Sequence, residues 1–334
     1  MKNKKQLIID SLIPFDNDWN TLLRHIESLG NIPFHFEGEL NLINQPVESL
    51  GTLVSVGGVL NLYGTKIKSL GQLKRVEGHL YLRDTPIETL GKLEHVEGAL
   101  DLAGTKIKSL GKLKTVNGLF LNLRDTPVEN LGNLRVVKGN FDLFGSMVKT
   151  LGKLTTVGGF LELRKTPIVD LGELKVVNGD LELAETAIKS LGNLERVEGS
   201  LDLVGSEILS LGNLQSVGKK EFSRILSFAP YSYFSDVVRT GDDDTFNLRK
   251  YRSKRSRIGS LLLSNTKINS LGNLTSVAGD LDICRTNIES LGKLTKVGGN
   301  LLMSGDLDGF ASPPDFVYGD IYSRETGTWL TKFY

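Results

Sequence analysis

Residues 76–92 read VEGHLYLRDTPIETLGK, and close variants of this string fill most of the 334-residue chain. The Leu-Gly pair of the string recurs with its leucine at Leu29, Leu50, Leu70, Leu90, Leu110, Leu131, Leu151, Leu171, Leu191, Leu211, Leu271 and Leu291. The spacing is 20 or 21 residues, with one jump of 60 between Leu211 and Leu271. A fixed period of this length is typical of solenoids, in which each repeat buries its apolar side against the next.

Each repeat predicts one coil of such a solenoid. Leu80 and Leu82 alternate with more polar residues, so both side chains face the same side of a short strand. The inward filling of this coil is completed by Ile87, Leu90, Leu93 and Val96. Stacked coils would place like residues over like at about 4.8 Å, the spacing of neighbouring strands in a sheet.

The remaining positions of the repeat predict turns. A hydroxyl residue stands where the chain leaves each strand, as Thr85 does. It can satisfy backbone groups of the turn, and stacked hydroxyls can also bond to one another along the column. Two glycines per repeat, such as Gly78 and Gly91, are expected at corners that need a positive φ or a close backbone approach. Turns that contain proline alternate with turns that do not, which indicates that a pair of coils was the duplicated unit.

The repeat resembles that of the leucine-rich-repeat family, whose strand motif is L-x-x-L-x-L-x-x-N-x-L, with Thr or Ser here in place of the Asn. Its V-x-G-x-L-x-L start is also similar to the L domains of growth-factor receptors. The resemblance covers about residues 29–217 and 259–302. It implies a β-rich, right-handed solenoid with one long parallel sheet and a protein-binding role. A 20-residue coil leaves no room for a full convex helix.

The chain divides into five predicted segments. Residues 16–29 place an apolar stripe on one helical face after acidic N-cap candidates, which predicts a helical N-terminal cap over 1–29. Residues 30–217 and 258–302 form the solenoid, which residues 218–257 interrupt as one large insertion. Residues 303–334 lose the repeat, gain aromatic side chains and predict a C-terminal cap.

The insertion is a candidate contact arm, because a loop of this length is usually functional or unstructured. It combines aromatic residues with a basic run that begins at Arg249. The side chains expected to reach a partner are Tyr231, Tyr233, Phe234, Arg249, Lys250 and Arg252. The alternatives are a solvated excursion without a role and a nucleic-acid contact made by the basic run.

Composition narrows the function classes. Lys and Arg number 40 against 39 Asp and Glu, and a net charge of +1 argues against a protein that coats nucleic acid or membranes. The single cysteine, Cys284, allows no internal disulfide, and no apolar run approaches the roughly 18 residues that span a bilayer. These features favour a cytoplasmic protein. The histidines are scattered and no phosphate-loop or nucleophile motif occurs, so we expect no enzyme, cofactor or metal site.

The outward face of the predicted sheet is defined by the positions that flank each leucine pair. Its aromatic and arginine residues are Tyr63, Tyr81, Arg83, Phe120, Arg124, Phe144, Phe160 and Arg164. Side chains of these types dominate the energetics of protein interfaces. Between the leucines, the face turns acidic in a column of Asp142, Glu162, Glu182 and Asp202. Stacked like charges cost stability unless the neighbouring arginines or a partner offset them.

We therefore expect a non-enzymatic module that binds another protein through the sheet face and the insertion. Repeats this uniform resemble those of bacteria and large viruses, which favours an inhibitor or sensor in host–virus or inter-bacterial conflict. The alternatives are a carbohydrate-binding adhesin that stacks sugars on the aromatic residues, and a nucleic-acid binder or mimic. The mimic would use the acidic column and the binder the basic run.

Overall fold

A computed structural model describes residues 7–219, 259–304, 316–317, 321–323 and 328–331. In these ranges the chain winds as a parallel β-solenoid of about 12 turns with a 20-residue spacing, as the repeat predicts. The coils contribute two short strands each, which pair in parallel with the matching strands of the next coil; the last strand of the second sheet, Thr328–Thr331, pairs antiparallel. The described residues thereby form two sheets of 14 strands each.

We name the two sheets A and B. Sheet A holds the strands Leu7–Ile9, Phe34–Phe36, Leu53–Val56, Arg75–Val76, His95–Val96, Thr115–Val116, Val136–Val137, Thr156–Val157, Val176–Val177, Arg196–Val197, Ser216–Val217, Ser276–Val277, Lys296–Val297 and Phe316–Val317. Sheet B holds Leu40–Asn41, Leu60–Asn61, Leu80–Tyr81, Leu100–Asp101, Phe120–Asn122, Asn140–Asp142, Leu161–Glu162, Leu181–Glu182, Leu201–Asp202, Leu261–Leu262, Leu281–Asp282, Leu301–Met303, Ile321–Ser323 and Thr328–Thr331.

The single sheet expected from the leucine pairs is sheet B, and sheet A is an addition that the structure reveals. Sheet A is built on the valine that precedes each leucine pair, as in the pairing of Val76 with Val96. The repeat pattern predicts Val96 as a core residue and does not predict a strand there. A lone valine does not show the period-2 alternation that marks a strand, because its strand is only two residues long.

The core lies between the two sheets and a third side that carries the Leu-Gly pairs. All six inward residues predicted for one coil are buried: Leu80, Leu82, Ile87, Leu90, Leu93 and Val96. The register keeps leucine over leucine along sheet B, from Leu80 to Leu100 and on to Leu121. Burial of such a column stabilises the rod as a whole, because each coil alone leaves its core side chains open to water.

The hydroxyl column closes the turn after each sheet B strand. Thr105 is buried, and its Oγ1 donates to the carbonyl oxygen of Leu102 at 2.7 Å. The same three-residue bond recurs at Thr65, Thr85, Thr126, Thr166, Thr186, Ser206, Thr266 and Thr286. Ser146 is the exception, because its buried Oγ has no hydrogen-bond partner. The hydroxyls therefore act within their own turns, as predicted, whereas the expected bonds between stacked hydroxyls are not found in the described coils.

The third side pairs its coils two by two. Backbone bridges join Ser69 to Thr89 and Ser109 to Asn130, and equivalent bridges repeat further along the rod. Lys106 N–H donates to the carbonyl of Ile87 at 3.2 Å, whereas the equivalent Pro86 has no N–H to donate. The alternation of proline turns in the sequence is therefore also an alternation in backbone pairing.

The N-terminal helix covers the first coil. It spans Trp19–Ser28, inside the predicted range of 16–29, and begins after Asp18, whose carboxylate accepts from Thr21 N–H at 2.8 Å. Trp19 is fully buried, and its indole N–H donates to the carbonyl of Ser49 at 2.9 Å. A one-turn 3-10 helix at Ile13–Phe15 precedes it.

The solenoid keeps its register across the predicted insertion. Ser216 pairs with Ser276 in sheet A, and Leu201 pairs with Leu261 in sheet B. A Cβ placed on Gly218 would lie 2.9 Å from Gly259 Cα, so the two described ends meet at one corner between the sheets. One coil is thus completed by residues on both sides of the jump, and residues 220–258 lie outside the described ranges.

Candidate functional site

The candidate site is the outer face of sheet B, whose middle column stands in direct register. The pairing runs from Asp142 to Glu162, from Glu162 to Glu182 and from Glu182 to Asp202. Neighbouring strands of a sheet lie about 4.8 Å apart, so four carboxylates follow one another at that interval. The stack predicted from the repeat is therefore a continuous ladder, and we call these four residues the carboxylate ladder.

Most side chains of the middle column close the turn that follows their own strand. Asp142 Oδ1 accepts from Phe144 N–H, and Asp202 Oδ1 accepts from Val204 N–H, both at 2.9 Å. The same bond to the second residue onward is made by Asn41, Asn61, Asp101, Asn122, Glu162 and Asp282. An Asn or Asp at this position is consequently explained by turn capping, without a partner.

Glu162 carries the best-neutralised charge of the ladder. Its side chain is fully buried. The backbone N–H and the Nε of Arg164 each donate a hydrogen bond to Glu162 Oε1 at 2.9 Å. A second guanidinium nitrogen of Arg164 bonds the other carboxylate oxygen. This pairing, with Glu162 as the main cause, raises the pKa of Arg164 above its ordinary value.

Arg124 and Phe144 form a second cluster beside Asp142. The guanidinium carbon of Arg124 lies 4.0 Å from the centre of the Phe144 ring, and Nζ of Lys165 lies 4.9 Å from the same centre. Arg124 also approaches Asp142 at 3.6 Å. Burial nevertheless raises the pKa of Asp142 to about 6, because the desolvation of the carboxylate outweighs the turn bond and the arginine.

Glu182 differs from every other member of the carboxylate ladder. It is half-buried, and its carboxylate makes no hydrogen bond or ion pair with any described residue. Residue 184 is an alanine where Glu162 has Arg164. Burial is the main cause that raises the pKa of Glu182 to about 7, and the neighbouring Asp202 is the next. Among the described residues, a carboxylate that closes no turn and shares its nearest cation, Arg164, with Glu162 is the feature of this face that the fold leaves unexplained.

The predicted aromatic and arginine residues fall into two groups. Tyr63, Tyr81 and Arg83 lie toward the N-terminal end, where the Tyr63 hydroxyl bonds Asp84 and the Tyr81 ring centre lies 5.8 Å from that of His79. The hydrogen bond to Asp84 raises the pKa of Tyr63, and burial raises that of Tyr81. The second group is Phe120, Arg124, Phe144, Phe160 and Arg164, all half-buried.

The coil that lies between the two groups contributes only short side chains. This coil presents Ala99, Asp101 and Ala103, all buried, so the eight residues do not form the single patch that the sequence predicts. Burial also raises the pKa of Asp101. The predicted contacts Tyr231, Tyr233, Phe234, Arg249, Lys250 and Arg252 lie outside the described residues.

Sequence reasoning missed two features of this face. It did not find the turn-capping role of the middle column, although the repeated Asn or Asp in front of the second leucine was a usable signal. It also treated Glu182 as equivalent to Glu162. The signal that separates them is the residue two positions later, which is Arg164 in one coil and Ala184 in the next.

No group of three or more His, Cys, Asp or Glu residues suited to a metal ion occurs in the described ranges. The described part of the chain also contains no helix that is long and apolar enough to cross a membrane. Comparison of the chain with protein-family models, curated proteins and solved structures gives no match.

Proposed function

We propose that this protein binds another protein, without catalysing a reaction, through the outer face of sheet B around Glu182. The partner would present a lysine or arginine side chain that reaches Glu182 and the adjacent Asp202. Burial and the repulsion from Asp202 raise the pKa of Glu182, and the cation that attracts both carboxylates among the described residues is Arg164, which already binds Glu162. A cation from a partner would convert that repulsion into an ion pair.

The observation that carries the proposal is that the Glu182 carboxylate pairs with no described residue. The other ladder carboxylates are explained by turn capping or by an arginine, and Glu182 is explained by neither. A half-buried acid with a raised pKa costs the folded state free energy. Such a cost at a surface position supports a binding role.

The surroundings of Glu182 suit a protein interface. Phe144 and Phe160 with Arg124 and Arg164 supply aromatic and guanidinium groups one to three strands away along sheet B. These side-chain types form most interface hot spots. The corner where Gly218 meets Gly259 adjoins the same face, because Gly259 N–H donates to Ser200 Oγ at 3.2 Å. We propose residues 218–257 as a second contact arm rooted there.

We also propose a kinship with leucine-rich-repeat proteins, which rests on the leucine pairs of sheet B and the 20-residue period. A cytoplasmic location and a role in host–virus or inter-bacterial conflict are proposals that rest on composition and repeat uniformity alone. They add no residue to the binding face.

The test compares two charge reversals at glutamates in different places. Glu182→Lys puts a cation between Glu162 and Asp202, so it should keep or raise the thermal midpoint while removing the partner's anchor. Glu88→Lys makes the same change on the exposed third side. Quantitative affinity capture from host lysate should show one protein lost about tenfold with Glu182→Lys and retained with Glu88→Lys.

Phe160→Asp gives a second variant of the same face. It should lose the same captured protein, and the purified protein should then bind the wild-type chain directly in a titration. Equal recovery of every captured protein by wild type, Glu182→Lys and Phe160→Asp would remove the sheet B face from the proposal.

A further inference from the structure

No described strand pairs with the N-terminal edge of sheet B. The strand Leu40–Asn41 is the terminal strand of the sheet on this side, with Leu40 N–H bonded to the Val59 carbonyl at 2.7 Å and Leu42 N–H to that of Asn61 at 2.9 Å. At the other end, the terminal strand is Thr328–Thr331, which pairs antiparallel with Ile321–Ser323. Leu40–Asn41 has no described strand on its outer side.

This edge presents backbone groups in the pattern that an added strand requires. Residues 40 and 42 use their N–H groups within the sheet, so Glu39 and Asn41 turn theirs outward. The backbone groups of Glu39 and Asn41 make no hydrogen bond to any described residue, and both residues are exposed. Ile43 N–H donates to Asn41 Oδ1 at 3.2 Å. The carbonyl of Ile43 faces outward and can accept a hydrogen bond.

The edge is also acidic and partly apolar. Residues 1–51 contain seven carboxylates against one arginine and three lysines, a formal charge of −3 in a chain whose net charge is +1, and all three lysines precede residue 7. Asp10, Glu37 and Glu39 are exposed near the start of the edge strand, where Glu37 N–H bonds the Ile9 carbonyl at 2.9 Å. None of the three takes part in an ion pair within the described ranges. Ile43, which follows the strand, is 40% exposed.

We infer that this edge takes up an extended, lysine- or arginine-bearing segment of a partner protein as an additional strand beside Leu40–Asn41. The backbone of the segment would bond Glu39, Asn41 and the Ile43 carbonyl. Its cations would face Asp10, Glu37 and Glu39, and an apolar residue would cover Ile43. A second copy of this chain is a poorer occupant, because two such acidic ends would repel each other.

The test uses a fluorescein-labelled peptide of alternating lysine and valine, acetyl-KVKVKVK-amide, titrated against the full chain at about 50 mM salt with anisotropy as the readout. Asn41→Pro removes the outward N–H without touching the Leu40 and Leu42 bonds, and edge strands tolerate proline. It should weaken binding about tenfold, whereas Asn41→Thr, which keeps the N–H, should bind like wild type.

Three controls separate the edge from general charge attraction. Methylating the backbone nitrogens on one side of the peptide should weaken its binding to wild type, a result that does not depend on how Asn41→Pro folds. Glu39→Lys should weaken binding and Glu88→Lys should not. Glu182→Lys should leave it unchanged, because this inference is independent of the sheet B face.

Two outcomes would overturn the inference. One is binding that survives both Asn41→Pro and backbone methylation. The other is a wild-type dimer in light scattering that Asn41→Pro converts to a monomer, which would assign the edge to a second copy.

Discussion

Glu182 shows how one residue can be out of step with its own repeat. It occupies a position where other coils use the side chain to close a turn, yet it closes none and lies between Glu162 and Asp202. Burial and the neighbouring Asp202 raise its pKa to about 7. The negative charge of Glu182 therefore lowers the stability of the folded state.

Replacement of that charge should stabilise the protein. We expect Glu182→Gln to raise the free energy of unfolding by about 1–2 kcal/mol at pH 8, since a shift of one pKa unit corresponds to about 1.4 kcal/mol. Urea denaturation measures the change. At pH 5 wild-type Glu182 is already protonated in the folded state, so the gain should largely disappear, and a gain that persists there would contradict the explanation.

The two buried serines of the hydroxyl column differ in one hydrogen bond. Ser206 Oγ donates to the Leu203 carbonyl at 2.8 Å, whereas Ser146 Oγ has no partner. Ser206→Ala should cost about 1 kcal/mol, and Ser146→Ala should be neutral or stabilising. Thermal unfolding of the two variants side by side gives the comparison. Equal losses would mean that the hydroxyl contributes only volume.

At the scale of elements, the third side is built from pairs of coils. Two glycines on this side have the same backbone conformation but different surroundings. Gly71 and Gly91 have φ of 57° and 58°. A Cβ on Gly91 would lie 2.5 Å from the Gly71 carbonyl oxygen, whereas one on Gly71 would meet nothing within 4 Å. The bridge between Ser69 and Thr89 brings these two corners together.

This difference predicts unequal costs for the same substitution. Gly71→Ala should cost about 1 kcal/mol for the left-handed backbone alone. Gly91→Ala adds a backbone clash and should cost about 2–3 kcal/mol more. Denaturant midpoints of the two variants measure the gap, and identical midpoints would show that the coils are not held together in pairs.

At the scale of the molecule, the buried acids of sheet B set the pH dependence of stability. The pKa of Asp142 is raised to about 6 and that of Glu182 to about 7, and those of Asp101 and Asp202 are also raised, with burial as the main cause in all four. A carboxyl with a raised pKa binds its proton more tightly in the folded state. Its contribution to stability therefore falls as the pH rises from about 4 to its folded pKa.

We expect the protein to be more stable near pH 5 than near pH 8, by more than the Glu182 contribution alone. Below about pH 4 the trend should reverse, because Asp18 at the start of the helix has a lowered pKa from its bonds to Thr21. Thermal midpoints across this pH range measure the curve. A maximum above pH 7 would contradict the assignment.

The continuity of the solenoid across the jump gives a second prediction at this scale. Because Gly218 and Gly259 adjoin, replacing residues 220–258 by a two-glycine linker should leave the coil register intact. The circular dichroism spectrum should keep its β signature and the unfolding transition its cooperativity. Loss of cooperative unfolding would show that these residues are needed to join the two parts of the rod.

The sequence by itself determined the period, the inward columns, the turn hydroxyls and the N-terminal helix. Each of these depends on contacts within one coil or between a coil and its identical neighbour. Because the coils repeat, the residues that make these contacts recur in the sequence at a fixed period. The columns of Leu80 and Thr85 are read directly in this way. The alternating proline turns also indicated that the coils come in pairs.

Only the tertiary structure decided where one copy departs from the others. The second sheet, the meeting of Gly218 with Gly259, the lack of a described partner for Glu182 and the edge strand at Asn41 each depend on which groups lie opposite in space. A repeat pattern describes the average coil, whereas binding depends on differences in desolvation, charge and hydrogen-bond satisfaction at single positions. Those differences arise when the coils are stacked.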